Sequence, residues 1–154
     1  MTAEADSVEL RWREKWLAFR VGLLIPLIEF CMRRTSFRGT QRALLRLAHC
    51  LPPYFASPVT LERAVAIGEL VELGNTRYSL YRADCLTLSL ALQYTINRLG
   101  GEANICLGVR TTAGQFEAHA WVEVNGKPLN QLENVNAVYT RMDWTKTSQA
   151  QPYA

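Results

Sequence analysis

Residues 116–126 read FEAHAWVEVNG, a stretch in which apolar residues alternate with polar and aromatic ones. Successive side chains of an extended chain point to opposite sides, so the alternation separates two rows: Ala118, Ala120, Val122 and Val124 against Glu117, His119, Trp121 and Glu123. The closing Asn125-Gly126 is a strong signal for a tight hairpin turn into KPLNQ. The stretch therefore predicts a half-buried strand that carries a histidine, His119, in its polar row.

The residues before this strand predict a partner strand and a helix. NICLGVR, residues 104–110, alternates in the same way, and residues 111–114 form the turn between the two strands. RADCLTLSLALQYTINRLGG, residues 82–101, has apolar residues at helical spacing, Asp84 in position to cap its start, and Gly100-Gly101 to stop it. Cys85 then lies in the first turn of a helix that packs on an antiparallel sheet.

The N-terminal half is predicted to be helical from about residue 8 to residue 73. Large apolar residues recur at helical spacing near its start: Trp12, Trp16, Phe19 and Leu23. A later helix opens with Thr60 as a candidate cap, and breaks are expected at residues 51–54 (LPPY) and at Gly74-Asn75. We predict one α+β domain over residues 1–154, with a helical part of about 1–73, a core of about 78–145 and a flexible tail of 146–154.

Composition excludes several classes of protein. The formal net charge of +3 is too modest to imply a nucleic-acid partner. The longest apolar run, VGLLIPLI at residues 21–28, is shorter than the roughly 20 residues of a transmembrane helix. It predicts a core helix kinked at Pro26, with a peripheral membrane contact as the alternative. The N-terminus lacks the features of a secretory signal, which favours a cytoplasmic protein.

The four cysteines, Cys31, Cys50, Cys85 and Cys106, form no CxxC pair and no tight cluster. This spacing argues against a disulfide framework and against a zinc site. We therefore expect reduced thiols and no bound metal.

A run of arginines precedes the predicted core. RRTSFRGTQRALLR, residues 33–46, contains five arginines and no acidic residue. Four of them recur at every fourth position and would form a basic stripe on a helix: Arg34, Arg38, Arg42 and Arg46. The stripe is either a solvated helix face or a surface that docks an acidic partner.

The predicted helix and sheet suggest a chemical role for Cys85 and His119. The first turn of a helix carries partial positive charge, which favours the thiolate form of a cysteine. A nearby histidine could take the thiol proton and later return it to a leaving amine. The alternative is that both residues are structural, as we expect for His49 beside the break at residues 51–54.

A third residue is expected to orient the imidazole, and the hairpin register decides which one. If Asn125-Gly126 forms a two-residue turn, Asn130 shares the side of the sheet on which His119 lies. If the turn contains a glycine bulge, Gln131 lies directly opposite His119. Both amides remain candidates.

The combination RADCLTLSLAL, NRLGG, ICLGV and FEAHAWVEVNGKPLN resembles the transglutaminase-like cysteine proteases that remove the leader from lasso-peptide precursors. The resemblance covers roughly residues 81–131, about a third of the chain. It implies a papain-like or transglutaminase-like core, with Cys85 as nucleophile and His119 as general base and acid. The family usually has an aspartate twelve positions after the histidine, where this chain has Gln131. Glu133 and Asp143 are nearby acids that could substitute for it.

The resemblance also implies substrates and partners. The substrate would be a precursor peptide, delivered by a separate leader-binding protein, and a macrolactam-forming synthetase would be a further partner. No cofactor would be required. Trp121, on the same strand side as His119, is a candidate wall of the substrate pocket. The alternatives are an acyltransferase of transglutaminase type and a non-catalytic peptide-binding module of the same fold.

Overall fold

The structure, a computed structural model, describes residues 12–50, 59–129 and 134–142. Three helices precede the cysteine-bearing helix: α1 (Trp12–Arg34), α2 (Phe37–Cys50) and α3 (Leu61–Leu73). The cysteine-bearing helix is α4 (Cys85–Arg98), and a single helical turn, α5 (Val135–Val138), follows the main hairpin. The strands are β1 (Asn104–Thr112), β2 (Gln115–Val124), β3 (Lys127–Pro128) and β4 (Thr140–Arg141). The fold is therefore α+β, as the sequence predicts.

The four strands form one antiparallel sheet in the order β3-β2-β1-β4. In the central pair Gly108 lies opposite His119. Two-residue turns join β1 to β2 and β2 to β3, and both residues of each turn have positive φ: Ala113 and Gly114, Asn125 and Gly126. The first turn is shorter than the predicted one because both strands extend further than their apolar alternation indicates.

Helix α4 is the centre of the structure, because it packs against α1, α2, α3 and the sheet. One face of the sheet contacts it through Ile105, Val122 and Val124, and we call this the inner face. The other, outer face carries a second small core of Trp121, Val135 and Tyr139. Gln93, a buried polar residue of α4, ties the helix to two other segments: its side chain accepts a hydrogen bond from Gln41 at 2.9 Å and donates one to the carbonyl of Ala103 at 2.9 Å.

Both predicted helix caps are confirmed. The side chain of Asp84 accepts a hydrogen bond from the backbone N–H of Thr87 at 2.7 Å, and α4 begins at Cys85. The side chain of Thr60 accepts one from the N–H of Arg63 at 3.3 Å, and α3 begins at the next residue. The predicted break at residues 51–54 and the predicted tail lie outside the described residues.

The break predicted at Gly74-Asn75 is wrong. Residues Gly74–Tyr78 instead continue α3 as one π-helical turn. A Cβ atom on Gly74 would lie 2.6 Å from the carbonyl oxygen of Ala18, and one on Gly22 would lie 2.6 Å from the Cβ of Tyr78. Gly74 is needed for the close approach of α1 to this turn, and not for ending the helix.

The apolar spacing that predicts α1 does not mark its buried face. The helix runs through Pro26 without ending, and its buried residues are Ala18, Val21, Gly22, Ile25 and Ile28. Trp12, Trp16, Phe19 and Leu23 all lie on the exposed side. None of the described helices is long and apolar enough to cross a membrane.

The arginine stripe is divided between two helices. Arg34 is the last residue of α1, whereas Arg38, Arg42 and Arg46 belong to α2. The interruption is the segment Thr35-Ser36, where the Ser36 hydroxyl accepts a hydrogen bond from the N–H of Gly39 at 3.1 Å. The one-helix stripe expected from the spacing is therefore not present.

Candidate active site

Cys85 is the first residue of a helix whose approach is held by buried polar contacts. Asn75, in the π-helical turn, is buried, and its side-chain oxygen accepts a hydrogen bond from the N–H of Ala83 at 2.9 Å. Asp84 then caps the helix through Thr87. The backbone on both sides of Cys85 is thus fixed, and the thiol lies where the N–H groups of the first turn create partial positive charge.

A second tether holds the same approach segment to α1. The hydroxyl of Tyr81 donates a hydrogen bond to the carboxylate of Glu29, which also accepts one from Arg33 at 2.6 Å. Burial and the bond to Glu29 raise the pKa of Tyr81 to about 12. The bonds from Tyr81 and Arg33 lower the pKa of Glu29. Tyr81 therefore remains a hydrogen-bond donor at neutral pH, and the tether persists.

Cys85 and His119 line the same pocket, although they come from α4 and β2. The pocket has a volume of about 180 Å³. Four consecutive residues of β2, 119–122, contribute to it together with Leu129, so it runs along the edge of the strand and not over one face of the sheet. The rest of the lining comes from α3 and α4: Gly68, Val71, Glu72, Leu88, Ser89 and Leu92.

Two aromatic rings surround the imidazole on the outer face of the sheet. The ring of His119 is stacked with that of Trp121 at a centroid distance of 6.2 Å and tilted against that of Tyr139 at 5.3 Å. Trp121 and Tyr139 also contact each other, at 6.3 Å. Aromatic contacts at these distances are favourable and restrict the orientation of each ring. The imidazole is therefore held by its neighbours and not by strand geometry alone.

Gly108 makes room for this cluster. It lies opposite His119 in the register of β1 and β2. A Cβ atom at this position would come within 2.8 Å of the Cβ of Tyr139 and 2.9 Å of the ring of Trp121. Real Cβ atoms do not approach other atoms so closely, so Tyr139 and Trp121 can pack beside His119 only because residue 108 is glycine.

Trp121 lines the pocket, but its side chain is only 1% exposed. Its indole N–H donates a hydrogen bond to Glu123 at 3.0 Å. A ring buried to this extent offers almost no surface to a substrate. Its contacts instead place it behind His119.

The carboxylate of Glu117 lies on the outer face, two residues before His119 in β2. Glu117 accepts hydrogen bonds from Arg110 at 2.7 Å and from the hydroxyl of Tyr139 at 2.9 Å. The bond from Arg110, then that from Tyr139, lowers the pKa of Glu117, and the charge of His119 contributes in the same direction. The guanidinium of Arg110 also lies 4.8 Å from the centre of the Tyr139 ring. The ring beside His119 is thus anchored at its hydroxyl and on its face.

The outer face holds a second thiol in a different setting. Burial, assisted by the neighbouring carboxylate of Glu123, raises the pKa of Cys106 to about 11. Burial would also raise the pKa of Glu123, but hydrogen bonds from Arg141 and Trp121 outweigh it and the net shift is downward. Cys106 is therefore a protonated, structural thiol at neutral pH. All four cysteines are free thiols.

The structure decides the register on which the third residue depends. Val124 pairs with Lys127 and Glu123 with Pro128, and the N–H of Leu129 donates to the carbonyl of Val122 at 2.9 Å. This is the register of the two-residue turn, for which the sequence places Asn130 on the side of His119. Asn130, Gln131, Glu133 and Asp143 themselves lie outside the described residues.

Not every residue singled out in the sequence belongs to this pocket. Cys85, His119 and Trp121 line it, whereas the four arginines of the stripe lie on α1 and α2 and are absent from its lining among the described residues. No group of three or more His, Cys, Asp or Glu within the described ranges is arranged to hold a metal ion. The sequence did not reveal the roles of Asn75, Gly108, Glu117 and Tyr139, because each depends on a contact distant in the chain.

Comparison with known proteins gives two results. The family profile described as "Transglutaminase-like superfamily" matches residues 28–143, about three quarters of the chain. The microcin J25-processing protein McjB of Escherichia coli is 39% identical over 57 residues. That region is 37% of this chain and 26% of McjB, so the chain aligns with about a quarter of this curated relative. No solved structure matches the chain.

Proposed function

Because this chain belongs to the transglutaminase-like superfamily, we propose that it is a cysteine protease that removes the leader from a ribosomally made lasso-peptide precursor. The observation that carries the proposal is that Cys85, at the start of a capped helix, and His119, on the facing strand, line one pocket. The local similarity to a protein named for processing microcin J25 supports a peptide substrate.

In the proposed reaction the sulfur of Cys85 attacks the carbonyl carbon at the junction of leader and core. His119 accepts the thiol proton, and backbone N–H groups at the start of α4 stabilise the negative oxygen of the tetrahedral intermediate. The intermediate collapses as the C–N bond breaks, and His119 donates its proton to the departing amine. The leader then remains attached to Cys85 as a thioester.

Hydrolysis completes the cycle. His119 removes a proton from water, the hydroxyl adds to the thioester carbonyl, and the thiolate of Cys85 leaves. The products are a leader with a free carboxyl group and a core peptide with a free amine. The aromatic neighbours of His119 support this role, because a base that acts twice must keep one orientation through both steps.

One of two amides is proposed to orient His119 in place of the usual aspartate. The observed hairpin register supports Asn130, whereas the spacing in the family supports Gln131. An amide orients the ring through its carbonyl oxygen but stabilises the imidazolium less than a carboxylate does. We expect alanine at the orienting position to reduce kcat about 10- to 100-fold with little change in KM. Alanine at the other amide should change kcat by less than about threefold, within the range of ordinary surface substitutions.

We propose two protein partners for the reaction. A separate leader-binding protein would deliver the precursor, and a macrolactam-forming synthetase would consume the freed amine. Both remain proposals, because the similarity to McjB covers only part of each chain. We place the reaction in the cytoplasm, where the thiol of Cys85 stays reduced.

The test is mass spectrometry of a full-length precursor incubated with the protein, with and without the leader-binding protein. Wild type should cut at one junction, and Cys85→Ala and His119→Ala should not. Cys106→Ala is the matched control, because Cys106 is a half-buried thiol outside the lining of the pocket.

The products separate the proposal from its rivals. A leader joined to an added amine, in preference to a hydrolysed leader, would identify an acyltransferase. Precursor binding without cleavage in the presence of the partner would identify a peptide-binding module. Cleavage that survives Cys85→Ala would refute the assignment of the nucleophile.

A further inference from the structure

Helix α1 has two apolar faces, and within the part of the chain that the structure describes only one of them packs against the core. Ala18, Val21, Ile25 and Ile28 are buried against the core. On the opposite side six large apolar residues are between 38% and 79% exposed, and we call them the outer seam: Trp12, Trp16, Phe19, Leu23, Leu27 and Phe30. An exposed apolar surface of this extent, continuous along one helix, is unusual for a protein without a partner.

The spacing of the outer seam indicates what covers it. Its members follow one another at intervals of four, three, four, four and three residues. At about 100° per residue this places all six within a sector of roughly 80°. A narrow stripe built from steps of three and four residues is the pattern by which one helix packs against another, and the two consecutive steps of four depart only locally from a strict heptad. The spacing therefore favours a helix as the covering element. Binding to a membrane surface would favour a broader apolar face on α1.

Three aromatic members of the seam, Trp16, Phe19 and Phe30, already make ring contacts. The rings of Trp16 and Phe19 are stacked at 5.7 Å, and Phe19 meets the ring of Tyr78 edge-on at 5.8 Å. The guanidinium of Arg34 lies 4.9 Å from the centre of the Phe30 ring. Side chains that are fixed before binding lose less conformational entropy when a partner docks. Tryptophan and arginine are also the residues enriched at energetically dominant positions of interfaces.

The charge around the seam disfavours a second copy of this chain and favours an acidic partner. Helices α1 and α2 contain eight basic residues: Arg13, Lys15, Arg20, Arg33, Arg34, Arg38, Arg42 and Arg46. Their acidic residues are Glu14 and Glu29, and Glu29 is already bonded to Arg33 and Tyr81. Two copies joined through this face would bring like charges together, whereas a helix flanked by Asp and Glu would be attracted and steered to it.

We propose that the outer seam docks an amphipathic helix of a different protein, with apolar residues at steps of three and four and carboxylates on both flanks. Helix α2, which contacts α1, contributes three further arginines, Arg38, Arg42 and Arg46. The docking surface does not depend on the peptidase chemistry, and it can be tested without activity.

The probe is a synthetic four-heptad peptide with Leu at the a and d positions and Glu at the e and g positions. Binding is measured by calorimetry and by the fluorescence of the seam tryptophans. Its matched control carries Lys in place of every Glu. We expect the Glu peptide to bind wild type with a dissociation constant that rises with salt concentration, and the Lys peptide to show no binding.

Two double variants locate the contact. Leu23→Ser/Leu27→Ser removes apolar surface from the seam and should weaken binding of the Glu peptide at least tenfold. Leu80→Ser/Phe116→Ser removes residues that are 89% and 71% exposed outside α1, and should change binding by less than twofold. All four side chains are exposed, so neither variant should lower the melting temperature by more than a few degrees.

Three results would overturn the proposal. The first is failure of the Glu peptide to bind, or equal binding of the Lys peptide. The second is a dimer of the protein alone, seen by sedimentation and lost in Leu23→Ser/Leu27→Ser, which would assign the seam to a second copy. The third is flotation of the protein with phosphatidylglycerol vesicles, lost in the same variant, which would assign it to a membrane surface.

Discussion

Cys85 and Cys106 are both half-buried thiols close to the same sheet, but their surroundings differ in every feature that governs thiol chemistry. Cys85 begins the helix that packs on the inner face, among backbone N–H groups and in a pocket shared with His119. Cys106 lies on the outer face beside the carboxylate of Glu123. The difference shows that proximity to the sheet alone does not set thiol chemistry: the start of a helix favours the thiolate, whereas burial beside a carboxylate opposes it.

The histidines provide the same comparison, and here the largest effect is expected. His119 lies between aromatic rings at the pocket, whereas the ring of His49 is 2.6 Å from the carbonyl of Leu45 at the exposed end of α2. His119→Ala should reduce kcat/KM for precursor cleavage about a thousandfold or more, because it removes the base and acid of both steps. The kcat/KM of His49→Ala should stay within about twofold of the wild-type value. Equal losses in the two variants would remove His119 from the mechanism.

The next effect concerns the thiols themselves. At pH 8, Cys106 should react with iodoacetamide at least about tenfold more slowly than the exposed Cys50, because burial and the carboxylate of Glu123 raise its pKa to about 11 and few molecules carry the thiolate. The exposed Cys50 is the internal reference, and peptide mapping by mass spectrometry gives both rates. Glu123→Gln should accelerate the reaction of Cys106, since it removes a negative charge that opposes the thiolate. Alkylation of Cys106 as fast as that of Cys50 would contradict its assignment as a protonated, structural thiol.

A smaller effect is expected at Gly108, which lies opposite His119 and close to Tyr139 and Trp121. Gly108→Ala should destabilise the protein by about 1–3 kcal/mol, because Tyr139 or Trp121 must move away from His119. In the same variant we expect kcat for precursor cleavage to fall, with a smaller change in KM. Gly39→Ala in α2 is the matched control: a Cβ there makes ordinary contacts, so the helix should be slightly stabilised. Thermal unfolding should show a lower melting temperature for Gly108→Ala and an equal or slightly higher one for Gly39→Ala, and kinetics of cleavage give kcat and KM for both variants. A Gly108→Ala variant with unchanged stability and unchanged kcat would show that the rings of Trp121 and Tyr139 do not constrain His119.

The smallest expected effect is on the carboxylate of Glu117. Arg110→Gln should raise the pKa of Glu117, and Tyr139→Phe should raise it by less, because the Arg110 bond is the larger cause of its depression. The sign follows from the loss of donors that favour the ionised form. Carbon-13 NMR of the glutamate side chains, with Glu117→Gln to assign the signal, measures both shifts. A larger shift in Tyr139→Phe would reverse the order of the two contacts.

Local signals in the sequence predicted the elements that hold the pocket. Asp84 as a cap, the strand alternation around His119 and the Asn125-Gly126 turn each act over a few residues, so they can be recognised without the fold. The helix start is consequently correct in the structure, and the observed register is one of the two that the sequence left open. The shared pocket of Cys85 and His119 agrees with the arrangement inferred from them.

Contacts between distant segments could not be predicted in the same way. Gly74 reads as a helix stop, yet it is required by the approach of α1. Gly108 and Tyr139 acquire their roles only when the segment after β3 returns to the outer face beside β1. Helix α1 shows a related limit, because a helix that is apolar on two sides gives no sign of which side the core will cover.

We propose that Cys85 is the nucleophile for a peptide bond at the leader–core junction, with His119 as its base. The most direct test uses a leader-derived peptide that ends in a nitrile in place of the scissile amide, to which a thiol adds as a thioimidate, followed by intact and peptide mass spectrometry. The account predicts one covalent adduct, on Cys85, that is lost in Cys85→Ser, slowed in His119→Ala and retained in Cys106→Ser. An adduct on another cysteine, or labelling of Cys85 that is indifferent to His119→Ala, would contradict it.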